Sequence, residues 1–171
     1  MLVSKTGKSS WAKVFPRGRA LYAGLTSTYN AIEVFGTGGH ASRDQYAAFL
    51  DEAAVILNKP ALQQVGERFR KAAAAWDRLA TALLPDHVVP FQRTRSISQE
   101  KLASFNRYGL AQLSQRQLLQ KGLQEIAEEI DKDFPLNEQG CDDLLASIRE
   151  AVLSVRDIEH EAISMLGEVM L

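Results

Sequence analysis

Apolar residues recur at three- and four-residue steps along most of this chain, and no stretch alternates apolar and polar positions long enough to predict a strand. Leu21, Leu25, Tyr29 and Ile32 fall on one face of a helix predicted over 20–35. Tyr46, Phe49, Leu50, Ala53, Ile56 and Leu57 do the same over 42–58. Asn58-Lys59-Pro60 ends that helix, because proline lacks an N–H and biases the preceding residue away from α. Leu62, Val65, Phe69, Ala72, Trp76, Leu79 and Leu83 form a seam over about 60–84, with Trp76 expected to be largely buried at its middle.

Pro85 and Pro90 bracket a predicted loop that the polar run 92–98 continues. Ser96 with Gln99 offers a capping box for a helix near 97–108, and Gly109 interrupts it. Ser114 and Gln117 restart it, with Leu119, Leu123, Ile126 and Ile130 as its apolar stripe. Phe134-Pro135 and Gln139-Gly140 mark the next turn. A last helix, about 140–168, carries Leu144, Leu145, Ile148, Val152, Val155, Ala162, Ile163 and Leu166. The expected fold is all-α, a bundle of five or six helices. Residues 20–171 are expected to form one helical domain after a basic, partly disordered lead-in over 1–19, with Trp11 and Phe15 packed on it.

The most distinctive stretch is 36–54. Gly36, Gly38 and Gly39, with Thr37 among them, allow a sharp turn. Ser42 and Gln45 then predict a capping box, and Asp44 suits the positive end of the helix that follows. A glycine loop at a helix start can also hold an anion. Here the spacing departs from the dinucleotide fingerprint, no strand precedes it, and Asp44 would repel a phosphate. A structural turn is the expectation.

Composition narrows the classes of function. The chain has one cysteine, Cys141, so neither an intrachain disulfide framework nor a multi-cysteine metal site is available. There is no apolar run long enough for a membrane span and no secretory h-region, so a cytoplasmic protein is expected, with no membrane or nucleic-acid partner. The net charge of −1 hides an asymmetry. Residues 1–124 hold 17 Lys/Arg and 8 Asp/Glu, a balance of +9, while 125–171 hold 3 and 13, a balance of −10. Either the acidic C-terminal helix docks on the basic remainder, which is favoured, or the basic N-terminal segment meets an acidic partner.

Candidate chemistry is sparse. The run at 5–10 lacks the first glycine and the strand of a P-loop, since Leu2 stands where that glycine is needed. Cys141 precedes Asp142 and Asp143, which would raise a thiol pKa and disfavour a nucleophile. Asp157 and His160 fall off the apolar stripe of the last helix, so no catalytic residue, metal or other cofactor is expected. Glu159 differs. On a wheel centred on Ile148 it lies at about 20°, inside the stripe, where a carboxylate needs a partner or a raised pKa. Arg43, at the margin of its own helix's apolar face, is the expected partner, in a buried ion pair that fixes how the two helices pack. A polar pocket around Arg43, Tyr46, Glu52 and Glu159 is the alternative.

The Gly-Thr-Gly-Gly turn, then Arg43, Tyr46, Phe49-Leu50 and Glu52-Ala53, with Trp76, Glu159 and Leu166 downstream, resembles the C-terminal helical domain of butirosin biosynthesis protein H-like proteins. That domain is itself of unknown function. In the family it follows a papain-like cysteine domain, and the named member transfers an acyl group from a carrier protein to an aminoglycoside amine. Met1 stands almost at the start of the helical part, so the cysteine chemistry is not expected here. The resemblance implies a non-catalytic accessory module in natural-product biosynthesis. Its partner would be an enzyme, an acidic carrier protein or a second copy of itself. His40 departs from the residue expected at its loop position.

Overall fold

The computed structural model describes residues 10–35, 39–109 and 111–170, and it is all-α. Helix α1 (Trp11–Val14) is a single turn. Six longer helices follow among the described residues: α2 (Arg19–Glu33), α3 (Arg43–Ile56), α4 (Ala61–Leu83), α5 (Val89–Tyr108), α6 (Leu113–Lys132) and α7 (Glu138–Met170). A 3-10 turn, His40–Ser42, leads into α3. No helix among the described residues is long and apolar enough to cross a membrane.

Helix α4 is the axle. Its seam residues Leu62, Val65, Phe69, Ala72, Leu79 and Leu83 are buried, and it packs against α7, α3 and α2. Each fully buried Leu or Val on that seam contributes about 1.5–3 kcal/mol. Gly66 sets the α3–α4 distance. A Cβ there would lie 3.2 Å from the Ala47 carbonyl oxygen and 3.1 Å from an Asp51 carboxylate oxygen.

The buried residues fall into two clusters. The larger joins α2, the second half of α4, the start of α5, the end of α6 and the N-terminal half of α7, around Leu25, Tyr29, Leu83, Phe91, Ile126 and Ile148. The smaller joins α3, the first half of α4 and the end of α7, around Leu50, Leu62, Val65, Phe69 and Ala162. At the chain's beginning, Trp11 is buried and its ring lies 4.6 Å from that of Phe15.

Among the described residues, four ion pairs between different helices join the basic part of the chain to the acidic part: Arg19–Asp131, Arg43–Glu159, Arg68–Glu161 and Arg93–Glu129. The internal-docking alternative for the charge asymmetry is therefore built into the helix packing.

The structure corrects several expectations. α5 begins at Val89, not near 97, because Pro90 sits in the first turn, where a missing N–H costs nothing. The run 92–98 is therefore helix, and Ser96 lies inside it rather than capping it. Its inward face is Phe91, Thr94 and Ser98, and the two hydroxyl residues masked the stripe. Ser42 sits in the left-handed region (φ 64, ψ 15) and makes no side-chain cap, so the Ser42–Gln45 capping box does not form. Phe49, Ile56, Leu57 and Ile163, assigned to apolar faces, are more than half exposed. Trp76 is half-buried rather than enclosed.

Candidate functional site

The turn preceding α3 is the most unusual backbone in the described residues. His40, Ala41 and Ser42 all have positive φ, at 50, 49 and 64 degrees, directly after Gly39 at 82. Left-handed conformations cost an L-residue roughly 1–2 kcal/mol each, so three in succession need support. The support is visible. The His40 backbone N–H donates to Glu33 Oε1 at 3.1 Å. The His40 ring nitrogen Nδ1 is 2.6 Å from an Asp44 carboxylate oxygen. Arg43 Nη1 donates back to the Ala41 carbonyl at 2.9 Å. Gly36, Thr37 and Gly38 lie outside the described residues.

The effect of the turn is to aim Arg43 across α3 toward α7. Arg43 Nε donates to Glu159 Oε1 at 2.5 Å and Nη2 donates to Oε2 at 3.1 Å, a two-pronged pair. Trp76, from α4, donates its indole N–H to the same Glu159 Oε1 at 2.7 Å. The Arg43 guanidinium carbon also lies 5.8 Å from the Trp76 ring centroid, within cation–π range. Three helices thus meet at one carboxylate. Glu159 is the more enclosed partner, with its side chain 18% exposed against 31% for Arg43. Burial pushes the Glu159 carboxyl up, but the Arg43 and Trp76 hydrogen bonds outweigh it and hold it below the usual glutamate range.

Around this knot the titrations are coupled to the turn. Burial raises the Glu33 carboxyl, partly offset by the His40 N–H. The hydrogen bond to Asp44 raises the His40 imidazole, against burial that lowers it. An apolar hollow of about 380 Å³ lies alongside, walled by Ile32, Ala41, Trp76, Leu79, Val152 and Val155.

The other sequence candidates are dispersed. Tyr46 packs edge-on against Phe69, with ring centroids 4.6 Å apart. Glu52 is exposed, and Gln45 is exposed in the first turn of α3. Of the residues expected around a polar pocket, Arg43 and Glu159 are joined by an ion pair. Cys141 is buried near the start of α7, and burial raises its thiol. Asp157 and His160 are both exposed. Among the described residues no cluster of three or more His, Cys, Asp or Glu is arranged to hold a metal ion.

Sequence reasoning assigned Trp76 only to the seam and missed its role as a donor. The available signal was chemical: a buried indole N–H needs an acceptor, and Glu159 was the one carboxylate placed within an apolar stripe.

A family model described as a domain of unknown function, DUF4872, matches residues 9–99. The match takes in Arg43 and Trp76 and stops short of Glu159. No curated protein and no solved structure matches the chain.

Proposed function

We propose, for a chain that belongs to the family of domains of unknown function DUF4872, an accessory role: a non-catalytic helical module that docks on a protein through the outer edge of α3. The observation that carries this reading is the exposure of large apolar side chains there, with Phe49 at 57%, Ile56 at 80% and Leu57 at 53%. Phe49 and Ile56 stand seven residues apart and so share an edge of the helix. Ile163 and Met170 repeat the spacing on α7, at 58% and 56% exposed. Apolar surface of this kind, grouped on helix edges, is what a partner covers. The two charged groups that meet inside the helix packing engage each other: the charge of Arg43 is met by Glu159.

The resemblance to butirosin biosynthesis protein H-like proteins supports placing this module in an acyl-transfer or amide-forming biosynthetic system. Its partner there is an enzyme, a carrier protein or a second copy of the chain. Sedimentation velocity at micromolar concentration tests the docking edge. The expected result is a dimer or larger species that Ile56→Glu converts to monomer without loss of helicity. A monomer that neither binds a co-purifying protein nor responds to Ile56→Glu removes the support for an accessory role.

A further inference from the structure

The hairpin of α5 and α6 leaves the core behind toward its turn. The two helices bury Phe91, Thr94, Ser98, Ile126 and Ile130 at the other end, and among the described residues of 101–124 only Ser104 is buried. Gly109 (φ 56) ends α5, and α6 starts at Leu113. Large apolar side chains stand exposed around this turn: Phe105 at 47%, Tyr108 at 42% and Leu113 at 57%. They share one side of the hairpin. Phe105 and Tyr108 are three residues apart on α5, as are Leu113 and Arg116 on α6. The Arg116 guanidinium carbon lies 5.2 Å from the Phe105 ring centroid, which brings the two stripes together. Four residues further from the turn on each helix, Lys101 Nζ donates to Gln120 Oε1 at 2.6 Å.

The same segment is basic. Residues 101–124 contain Lys101, Arg107, Arg116 and Lys121 and no Asp or Glu. Lys101, Arg107 and Arg116 pair with no carboxylate among the described residues. Each arginine lies over an aromatic ring, Arg107 over Tyr108 at 5.1 Å and Arg116 over Phe105. Lys121 has Glu125 at 3.7 Å, an exposed pair that water and salt screen. Glu100, flanking the segment, accepts from Gln115 at 3.4 Å. The groups are layered along the hairpin. Tyr108 and Leu113 flank the turn, Arg107 and Arg116 lie within one helical turn of it, and Lys101 and Lys121 stand about 10–12 Å further back at 1.5 Å per residue.

An anionic bilayer presents layers in the matching order, hydrocarbon beneath a negatively charged headgroup zone, and an interfacial segment sinks its apolar side by about 5–10 Å. Long cationic side chains behind the apolar end reach the headgroups while their stems lie along it. A helical turn that leads with its apolar side chains suits a deformable surface, whereas a folded partner would need a matching hollow. No helix among the described residues is long and apolar enough to cross a membrane, so the contact is with one face of the bilayer. We propose that the turn of the α5–α6 hairpin docks on an anionic lipid surface, with Phe105, Tyr108 and Leu113 entering the headgroup layer and Lys101, Arg107, Arg116 and Lys121 meeting the lipid charge. The surface is separate from the α3 docking edge.

The test is flotation of the full chain with vesicles of phosphatidylcholine alone and of phosphatidylcholine mixed with about one-third phosphatidylserine. The mixed vesicles are expected to bind it at least about tenfold more tightly, and added salt to weaken that binding. Replacing both arginines, Arg107→Gln with Arg116→Gln, should cost about tenfold or more, while Lys71→Gln, a cation outside the hairpin, should cost nothing measurable. Ile56→Glu, which probes the α3 edge, should leave vesicle binding unchanged, so the two surfaces fail or stand separately. In a Leu113→Trp variant, the emission gained over the unaltered chain should shift to the blue on the mixed vesicles alone. Should the double variant unfold, the lipid comparison on the unaltered chain and the Leu113→Trp shift decide. Equal binding to both vesicles, no binding up to about 1 mM lipid, or retention on polyglutamate or single-stranded DNA with none on the mixed vesicles would overturn the assignment.

Discussion

Arg43 and Trp76 donate to the same oxygen, Glu159 Oε1, from 2.5 and 2.7 Å. A carboxylate oxygen has lone pairs for both, and two donors on one acceptor fix it more tightly than either alone. The result is a junction that orients α3, α4 and α7 by hydrogen-bond direction, where apolar packing alone would leave them free to slide.

The pair itself should show coupling. Its side chains are neither fully exposed nor fully buried, so its worth lies between the near zero of a surface pair and the several kcal/mol of an enclosed one. In a double-mutant cycle of Arg43→Met and Glu159→Gln, urea unfolding should give a coupling energy of about 1–2 kcal/mol. Simple additivity would show that the contact does not constrain the native state.

Trp76→Phe keeps most of the ring's packing and removes the indole donor. The expected loss is about 2 kcal/mol, the scale of a hydrogen bond to a charged group. In a Glu159→Gln background the same substitution should cost visibly less, because the acceptor is no longer charged. A cost unchanged by the background would assign the effect to ring packing.

Stability should depend on pH from two sides. Glu159 is lowered in the folded state, so its contribution is present above the ordinary 4.5 and is lost as pH falls through its folded value. His40 is raised, so its contribution is complete below the ordinary 6.5 and is lost as pH rises through its folded value. Glu33, also raised, stabilises only while protonated and works against the turn as pH climbs. The Glu159 and His40 contributions therefore coexist between about 4.5 and 6.5. Thermal melts of wild type against His40→Asn should diverge most at the acidic end of that interval and converge above neutrality.

Ala41 is held at φ 49 and ψ 36. Glycine reaches that region without the Cβ penalty, so Ala41→Gly should raise stability by up to about 1 kcal/mol, in spite of glycine's greater freedom when unfolded. A helical alanine offers the contrast: Ala54→Gly should cost about 1 kcal/mol or more. If both substitutions destabilise alike in denaturant melts, the left-handed turn is not strained.

Much of the fold was legible because its signal is periodic. The α4 seam is unbroken in Leu, Val, Phe and Ala, and α4 ends within a residue or two of the predicted bounds. The start of α5 was not legible, because Pro90 reads as a breaker although it is harmless in a first turn. Its buried face also uses Thr94 and Ser98 where the pattern expects hydrocarbon. Glu159 could be singled out because it interrupts an apolar stripe, and Arg43 followed as the nearby opposite charge at a helix margin. The turn geometry was beyond reach. Nothing in the residues His40, Ala41 and Ser42 announces three consecutive positive φ values, which depend on contacts to Glu33 and Asp44 made only after α2 and α3 are in place.

The division of the interior into two apolar clusters has a kinetic consequence. The smaller one rests on few side chains, several of them alanines, and its α3 wall faces water along its outer edge. Such a unit can breathe on its own while the larger cluster stays closed. Amide hydrogens in α3 would then exchange through a sub-global opening, well ahead of those in the second half of α4. The Arg43–Glu159 contact, at the border between the two clusters, would act as the latch whose release sets the frequency of that opening.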